Sequence, residues 1–261
     1  MKKLPIYQVD AFTNKIFGGN PAAVCPLKEW LPDFTMQQLA AENNLSETAF
    51  FVKENNQYHI RWFTPEFEID LCGHATLASA FIIFLELEKS ISEIEFNCKS
   101  GILKVQKKNH LIELNFPSRP PVDCDIPNEL LNGFNIKSTK ILKSRDYFLV
   151  YDDEKYIHQL VPNYFELNKL TNIAGVIVTA PGRDVDFVSR FFVPNSVIGE
   201  DPVTGSSHCN LIPYWSKEFN KTDLIAKQVS AREGILYCTL QEDRVTMAGE
   251  AVLYMKGEYF I

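Results

Sequence analysis

Two stretches of this chain say nearly the same thing. "RWFTPEFEIDLCGHATLASAF" begins at Arg61 and "RFFVPNSVIGEDPVTGSSHCNLI" at Arg190. Each opens with Arg, an aromatic, Phe, any residue and Pro. Each then passes an acid (Asp70, Asp201) on the way to a Gly beside small polar residues and His, and ends in an apolar run. The second starts 190 − 61 = 129 residues after the first, about half of the 261-residue chain. A solenoid needs several short copies; two copies at half-length predict two similar lobes. In each copy a strand stops at Pro, a loop follows, and Gly leads into a helix. The Pro-rich segment "SRPPVDCDIPNE" is the natural joint. The division is therefore 1–117 and 118–261, with the last strand free to cross back to the first lobe.

The remaining pattern is mixed α and β. "YHIRWFTP" and "LIELNFP" read as strands, and "SEIEFNCKSGILKVQKKNHLIELNF" as a strand meander with turns at Ser100-Gly101 and Lys108-Asn109. "TMQQLAAENN" reads as a helix capped by Thr35. "GHATLASAFIIFLELEK" is apolar nearly all round and so reads as a buried helix. "GSSHCNLIPYWSKEF" is its counterpart, which Pro213 is expected to kink or end early.

Composition removes several classes of function. The net charge is −7 and no Lys/Arg stripe exists, which argues against a nucleic-acid partner. The longest apolar run is too short to span a bilayer, and the first residues lack the apolar core of a signal peptide. A cytoplasmic, membrane-free protein is expected. The six Cys form no CxxC and the five His no zinc-ligand pair, so no metal site is expected and the thiols read as reduced.

A helix start presents unpaired backbone N–H groups and the positive end of its dipole, so it attracts anions. Two such starts on pseudo-symmetric lobes predict a cleft that holds one carboxylate between them. A single GHAT turn would equally be a tight start to a buried helix; the doubling favours the cleft.

Four blocks in order, "DAFTNKIFGGNPAAV", "NLSETAFF", "RWFTPEFEIDLCGHATLASA" and "GEDPVTGSSH", resemble the signature blocks of the PhzF-like isomerases of phenazine biosynthesis. The resemblance covers nearly the whole chain. It implies the diaminopimelate epimerase-like fold: α/β (α+β), with two pseudo-symmetric lobes, each a curled, mostly antiparallel sheet around a central helix. It also implies a cofactor-independent isomerase that moves a proton on a small carboxylate-bearing, possibly cyclic metabolite, and a homodimer. Carried over residue by residue, Glu47 is the acid/base, and His74 and Asp201 are the other functional side chains. Asn20, Gly73, Thr204, Gly205 and Ser206 contact the substrate. An apolar surround makes a carboxylate a better base for a C–H bond.

Two alternatives stay open. In racemases of this fold a thiol from each lobe acts, and Cys72 stands where the first would be; the matching place in the second copy is near Pro202, with no thiol. A thiol-dependent amino-acid racemase or epimerase therefore ranks below the single-carboxylate isomerase. The other alternative is a metabolite-binding protein without turnover.

Overall fold

The computed structural model describes residues 2–55 and 57–261. The chain divides into two compact units, Met1–Phe116 with Thr246–Ile261, and Pro117–Val245. The C-terminal strand thus belongs to the first unit.

In the first unit the elements are β1 (Lys3–Ala11), β2 (Asn20–Leu27), α1 (Asp33–Asn43), β3 (Glu47–Glu54), β4 (Gln57–Phe63), β5 (Glu68–Ile69), α2 (Gly73–Ile82), β6 (Glu93–Cys98), β7 (Gly101–Lys108) and β8 (Leu111–Pro117). The second unit holds α3 (Asn128–Leu131), β9 (Lys140–Lys143), β10 (Tyr147–Val150), α4 (Glu154–Gln159), α5 (Tyr164–Leu167), β11 (Val176–Pro181), β12 (Phe187–Phe192), β13 (Glu200–Asp201), α6 (Gly205–Phe219), β14 (Asp223–Gln228) and β15 (Gly234–Gln241). β16 (Arg244–Gly249) leads to β17 (Ala251–Phe260), which pairs antiparallel with β1.

The pairing repeats between the units. β2 and β3 are parallel, β3 and β4 antiparallel, β4 and β6 parallel, and β6 and β7 antiparallel. β10 and β11, β11 and β12, β12 and β14, and β14 and β15 follow the same order of senses. Each sheet pattern comes with one long buried helix. α2 buries every residue from His74 to Ile82 except the half-buried Phe81, and α6 buries Ser207 to Ile212 without a break. A helix apolar on most faces can sit only where neighbours surround it. Sheet residues such as Val24, Phe50 and Val105 in the first unit, and Val178, Val188 and Leu236 in the second, supply the buried apolar side chains of each unit.

The head of the sequence repeat has a structural task. Arg61 donates from Nε and Nη2 to the two Glu68 oxygens, both at 2.8 Å, and from Nη1 to Asp33 at 2.8 Å. Arg190 donates to both Glu200 oxygens at 2.7 and 2.8 Å, and its Nη1 reaches the carbonyls of Ile157 and Leu160. In both units a bidentate Arg–Glu pair thus ties a long strand to the two-residue strand that precedes the buried helix.

Three local expectations change. α1 starts at Asp33 after Pro32 and not at a Thr35 cap; Pro32 has the extended backbone of a cap position, and Asp33 places its charge at the positive helix end. The α-helix from Gly73 stops at Ile82 and continues as a π-helical turn, Ile83–Leu87. Pro213 does not end α6, which runs to Phe219. Proline leaves the carbonyl four residues earlier without its helical donor. Here that carbonyl, Cys209 O, accepts from Arg119 N at 2.8 Å, and Asn210 Nδ2 donates back to Arg119 O at 2.6 Å. The segment before α3 thus substitutes for the lost helical bond. The hairpins β6–β7 and β7–β8 turn at Lys99-Ser100 and Asn109-His110, each one residue from the expected pair. No helix among the described residues is long and apolar enough to cross a membrane.

Replacing Arg190 with Met should lower unfolding free energy by about 3 kcal/mol or more, because Glu200 and two carbonyls lose a largely buried partner. Arg190→Lys should recover little of it, since an ammonium cannot make the bidentate pair. Urea unfolding of the two variants measures both.

Candidate active site

β2 and β3 run parallel with Ala22 opposite Glu47, so Asn20 and Glu47 lie at the starts of adjacent strands. α2 begins at the same end. Cys72 is its N-cap residue with an extended backbone, Gly73 opens the helix, and His74 follows. These local choices bring four side chains together. His74 Nε2 is 3.1 Å from Glu47 Oε2, at ion-pair distance. On the other side of the ring, Nδ1 is 3.2 Å from Asn20 Nδ2 and 3.5 Å from Cys72 Sγ. Access falls inward: the Glu47 side chain is 16% exposed, His74 5%, and Asn20 fully buried. Glu47 is the member that meets solvent, and His74 stands behind it.

The Glu47–His74 contact is not aligned as a hydrogen bond. Glu47 Oε2 and His74 Nε2 are both buried without a hydrogen-bond partner among the described residues. Buried polar atoms are seldom left so. Both atoms keep capacity for a proton or a ligand.

Burial by itself pushes the His74 pKa down, while negative charge on Cys72 and Glu47 pushes it up, and it ends well above the ordinary 6.5. The Cys72 thiol is pushed up to about 11, by burial first and then by Glu47. Near neutral pH Cys72 is therefore a thiol. A raised thiol pKa also makes Cys72 a weak nucleophile. Glu47, Cys72 and His74 are a possible metal-ligand trio by proximity, their donor atoms lying within 4.8 Å of one another.

The second unit places the other expected residues. Thr204 is the N-cap residue of α6, extended like Cys72, and Gly205 and Ser206 open the helix. The Thr204 hydroxyl donates to Asp201 Oδ2. Gln228, fully buried, was missed by sequence reasoning, which has no signal for a lone Gln at a strand end. Its Nε2 donates to Asp201 O at 2.7 Å, and its Oε1 accepts from Thr204 N at 2.9 Å. Arg145 was missed as well: it donates to both Asp146 oxygens and, at 3.1 Å, to Ser206 Oγ.

Strand register corrects the matching of the two copies. Phe50 faces Arg61 and Val178 faces Arg190. Three residues back on each strand (50 − 47 and 178 − 175) lie Glu47 and Gly175. Cys72 and Thr204 each precede the helix-opening Gly, so Thr204, and not Pro202, answers to Cys72; Ser206 answers to His74. Gly175 has no room for a side chain, since a Cβ there would lie 2.3 Å from Phe191 Cζ and 2.7 Å from Phe192 O. The carboxylate, imidazole and thiol each occur in only one of the two copies.

The two similar units fit the diaminopimelate epimerase-like fold, with a carboxylate–imidazole pair at one helix start. A family model described as phenazine biosynthesis-like protein (PhzC-PhzF) matches residues 9–257. An uncharacterized isomerase of Pseudomonas aeruginosa is 47% identical over 255 residues, 98% of each chain. Another, from Halalkalibacterium halodurans, is 46% identical over 267 residues, 100% of each chain. The crystal structure of an Enterococcus faecalis protein of the PhzF family superposes with a TM-score of 0.96 at 48% identity, covering 100% of both chains. A hydroxyproline epimerase of Agrobacterium vitis, 10% identical with a TM-score of 0.64, covers 99% of this chain and 91% of that one and shares the fold alone. The chain belongs to the PhzC/PhzF family of phenazine biosynthesis-like proteins.

Two buried histidines give opposite pH signatures. His208 donates from Nδ1 to Thr204 O at 2.7 Å, and burial pushes its pKa down to about 4. Between about 4 and 6.5 the unfolded chain binds more protons at this residue, so its contribution to stability is complete above 6.5 and is lost as pH falls. His74 has the raised value, so its contribution is complete below 6.5 and is lost as pH rises through that value. In urea midpoints measured against pH, His208→Asn should reduce the acid-side loss and His74→Gln should flatten the decline above 6.5.

Proposed function

We propose that this isomerase moves a proton between positions on one face of a small carboxylate-bearing metabolite, with Glu47 as the single acid/base. One observation carries the reading: Glu47 Oε2 and His74 Nε2 face each other buried, 3.1 Å apart, neither with a hydrogen-bond partner among the described residues. Glu47 takes a proton from substrate carbon and so becomes neutral. Its charge no longer favours the imidazolium, which holds its proton less tightly but keeps it until Glu47 is charged again. Glu47 returns its own proton to a second carbon of the substrate, which completes the shift and restores the ion pair. The Cys72 thiol takes no part in this cycle. Asp201, Thr204, Gly205 and Ser206 are assigned substrate contacts on the strength of the family resemblance, with Gln228 holding Asp201 and Thr204 in place.

The absence of a second carboxylate or thiol at the matching positions, where Gly175 and Thr204 stand, supports one base over two. The reading also includes a homodimer, as the resemblance implies, and a cytoplasmic location, as the absence of an apolar signal core and the reduced thiols lead one to expect.

Proton NMR in D₂O of a panel of cyclic and amino carboxylates, dihydro-hydroxyanthranilate among them, tests the assignment. Deuterium uptake or a double-bond shift is expected with the native protein, falling by about 10²–10⁴-fold in Glu47→Gln and persisting in Cys72→Ala. Exchange that survives Glu47→Gln and disappears in Cys72→Ala would transfer the chemistry to the thiol.

A further inference from the structure

The family resemblance puts Asn20 in contact with substrate, yet the side chain is fully buried and touches His74. Its position is fixed from three sides. Asn20 pairs with Ala11 in the β1–β2 ladder. The loop that delivers it carries Phe17 in the left-handed region, φ 72°, which a bulky residue adopts at a cost. The buried Asp10 carboxylate holds that turn by accepting from Phe17 N at 2.9 Å. A strained turn latched by a buried acid leads directly into the residue that meets the imidazole.

An Asn amide has a donor edge and an acceptor edge. His74 Nδ1 is bare in one charge state of a ring that keeps its proton on Nε2, and protonated in the other. Nδ2–H suits the bare nitrogen; after a half-turn of the amide, Oδ1 suits the protonated one. Cys72, also near Nδ1, is a weak donor and a weak acceptor and does neither well.

We propose that Asn20 is the positioning residue of the acid/base pair: its amide holds His74 through Nδ1 so that Nε2 faces Glu47, and it turns over with the charge of the ring so that Nδ1 stays paired in both states. A buried imidazole can then gain and lose a proton with pH without stranding a polar atom. The inference rests on the acid/base reading above for its use in catalysis, but not for its geometry. The ionisable groups acting on the ring are Cys72 on its own helix start and Glu47 on β3.

The test reads the free protein. Imidazole ¹⁵N resonances are followed from about pH 5 to about pH 10, with His74 assigned by comparison with His74→Gln. Asn20→Asp keeps the shape and fixes an anionic acceptor at Nδ1, so the His74 titration should move up by about one pH unit or more. Asn20→Leu removes the partner of both states, and the loss is greater for the charged ring, so the titration should move down. Opposite shifts support the proposal. A titration that is unmoved in both variants, or moves the same way in both, overturns it. Should circular dichroism show Asn20→Leu unfolded, an unmoved titration in the isosteric Asn20→Asp overturns the proposal alone. Since no substrate is present, failure here is distinct from failure of the exchange assay with Glu47→Gln.

Discussion

The bidentate Arg–Glu pair is the constraint on which the rest of each unit hangs. Arg61 to Glu68 and Arg190 to Glu200 occupy the same place in two copies of one pattern. Each crosses from a long strand to the short strand before the buried helix. In the first unit the pair is strong enough to push the Glu68 carboxyl down to about 2, chiefly through the Arg61 hydrogen bonds. A planar fork on a carboxylate fixes distance and orientation together, which a single ammonium contact would not do. The start of α2, and with it His74, therefore has a fixed height against the strand ends that carry Asn20 and Glu47.

From that frame the chemistry is built asymmetrically. The backbone repeats, with matched strand senses and matched extended residues before each helix-opening Gly. The side chains at the working positions do not repeat. Glu47 answers to Gly175, His74 to Ser206, and Cys72 to Thr204. The ring of Phe191 and the carbonyl of Phe192 occupy the space where a side chain at 175 would go. Duplication fixed the scaffold, and packing at one position closed it to a second base.

The electrostatics follow from burial order. A carboxylate that keeps some contact with solvent stands in front of an imidazole that has almost none, and a fully buried amide stands behind both. The charge of His74 depends on the charge of Glu47, and an event at the outer group is felt one step inward. In the second unit the opposite case holds: His208 meets the Thr204 carbonyl, the Ser207 hydroxyl and the Phe187 ring, none of them charged, and burial keeps it neutral.

The sequence by itself determined a great deal. Its half-length repeat required two similar lobes, the apolar run after Gly73 required a buried helix, and the turn residues at 100–101 and 108–109 placed two hairpins to within one residue. Glu47 and His74 were legible as chemistry through the blocks that resemble a family. Other features depended on contacts distant in the chain. That α6 passes through Pro213 rests on Arg119, which lies 94 residues earlier (213 − 119). That Asn20 serves His74 rests on two strands and a helix start meeting at one end, and that Gln228 holds Asp201 rests on a strand that begins after α6 has ended. Local propensity and periodicity report on neighbours along the chain. Hydrogen bonds between residues far apart in it, and the register that decides which residue answers to which, exist only once the strands are paired.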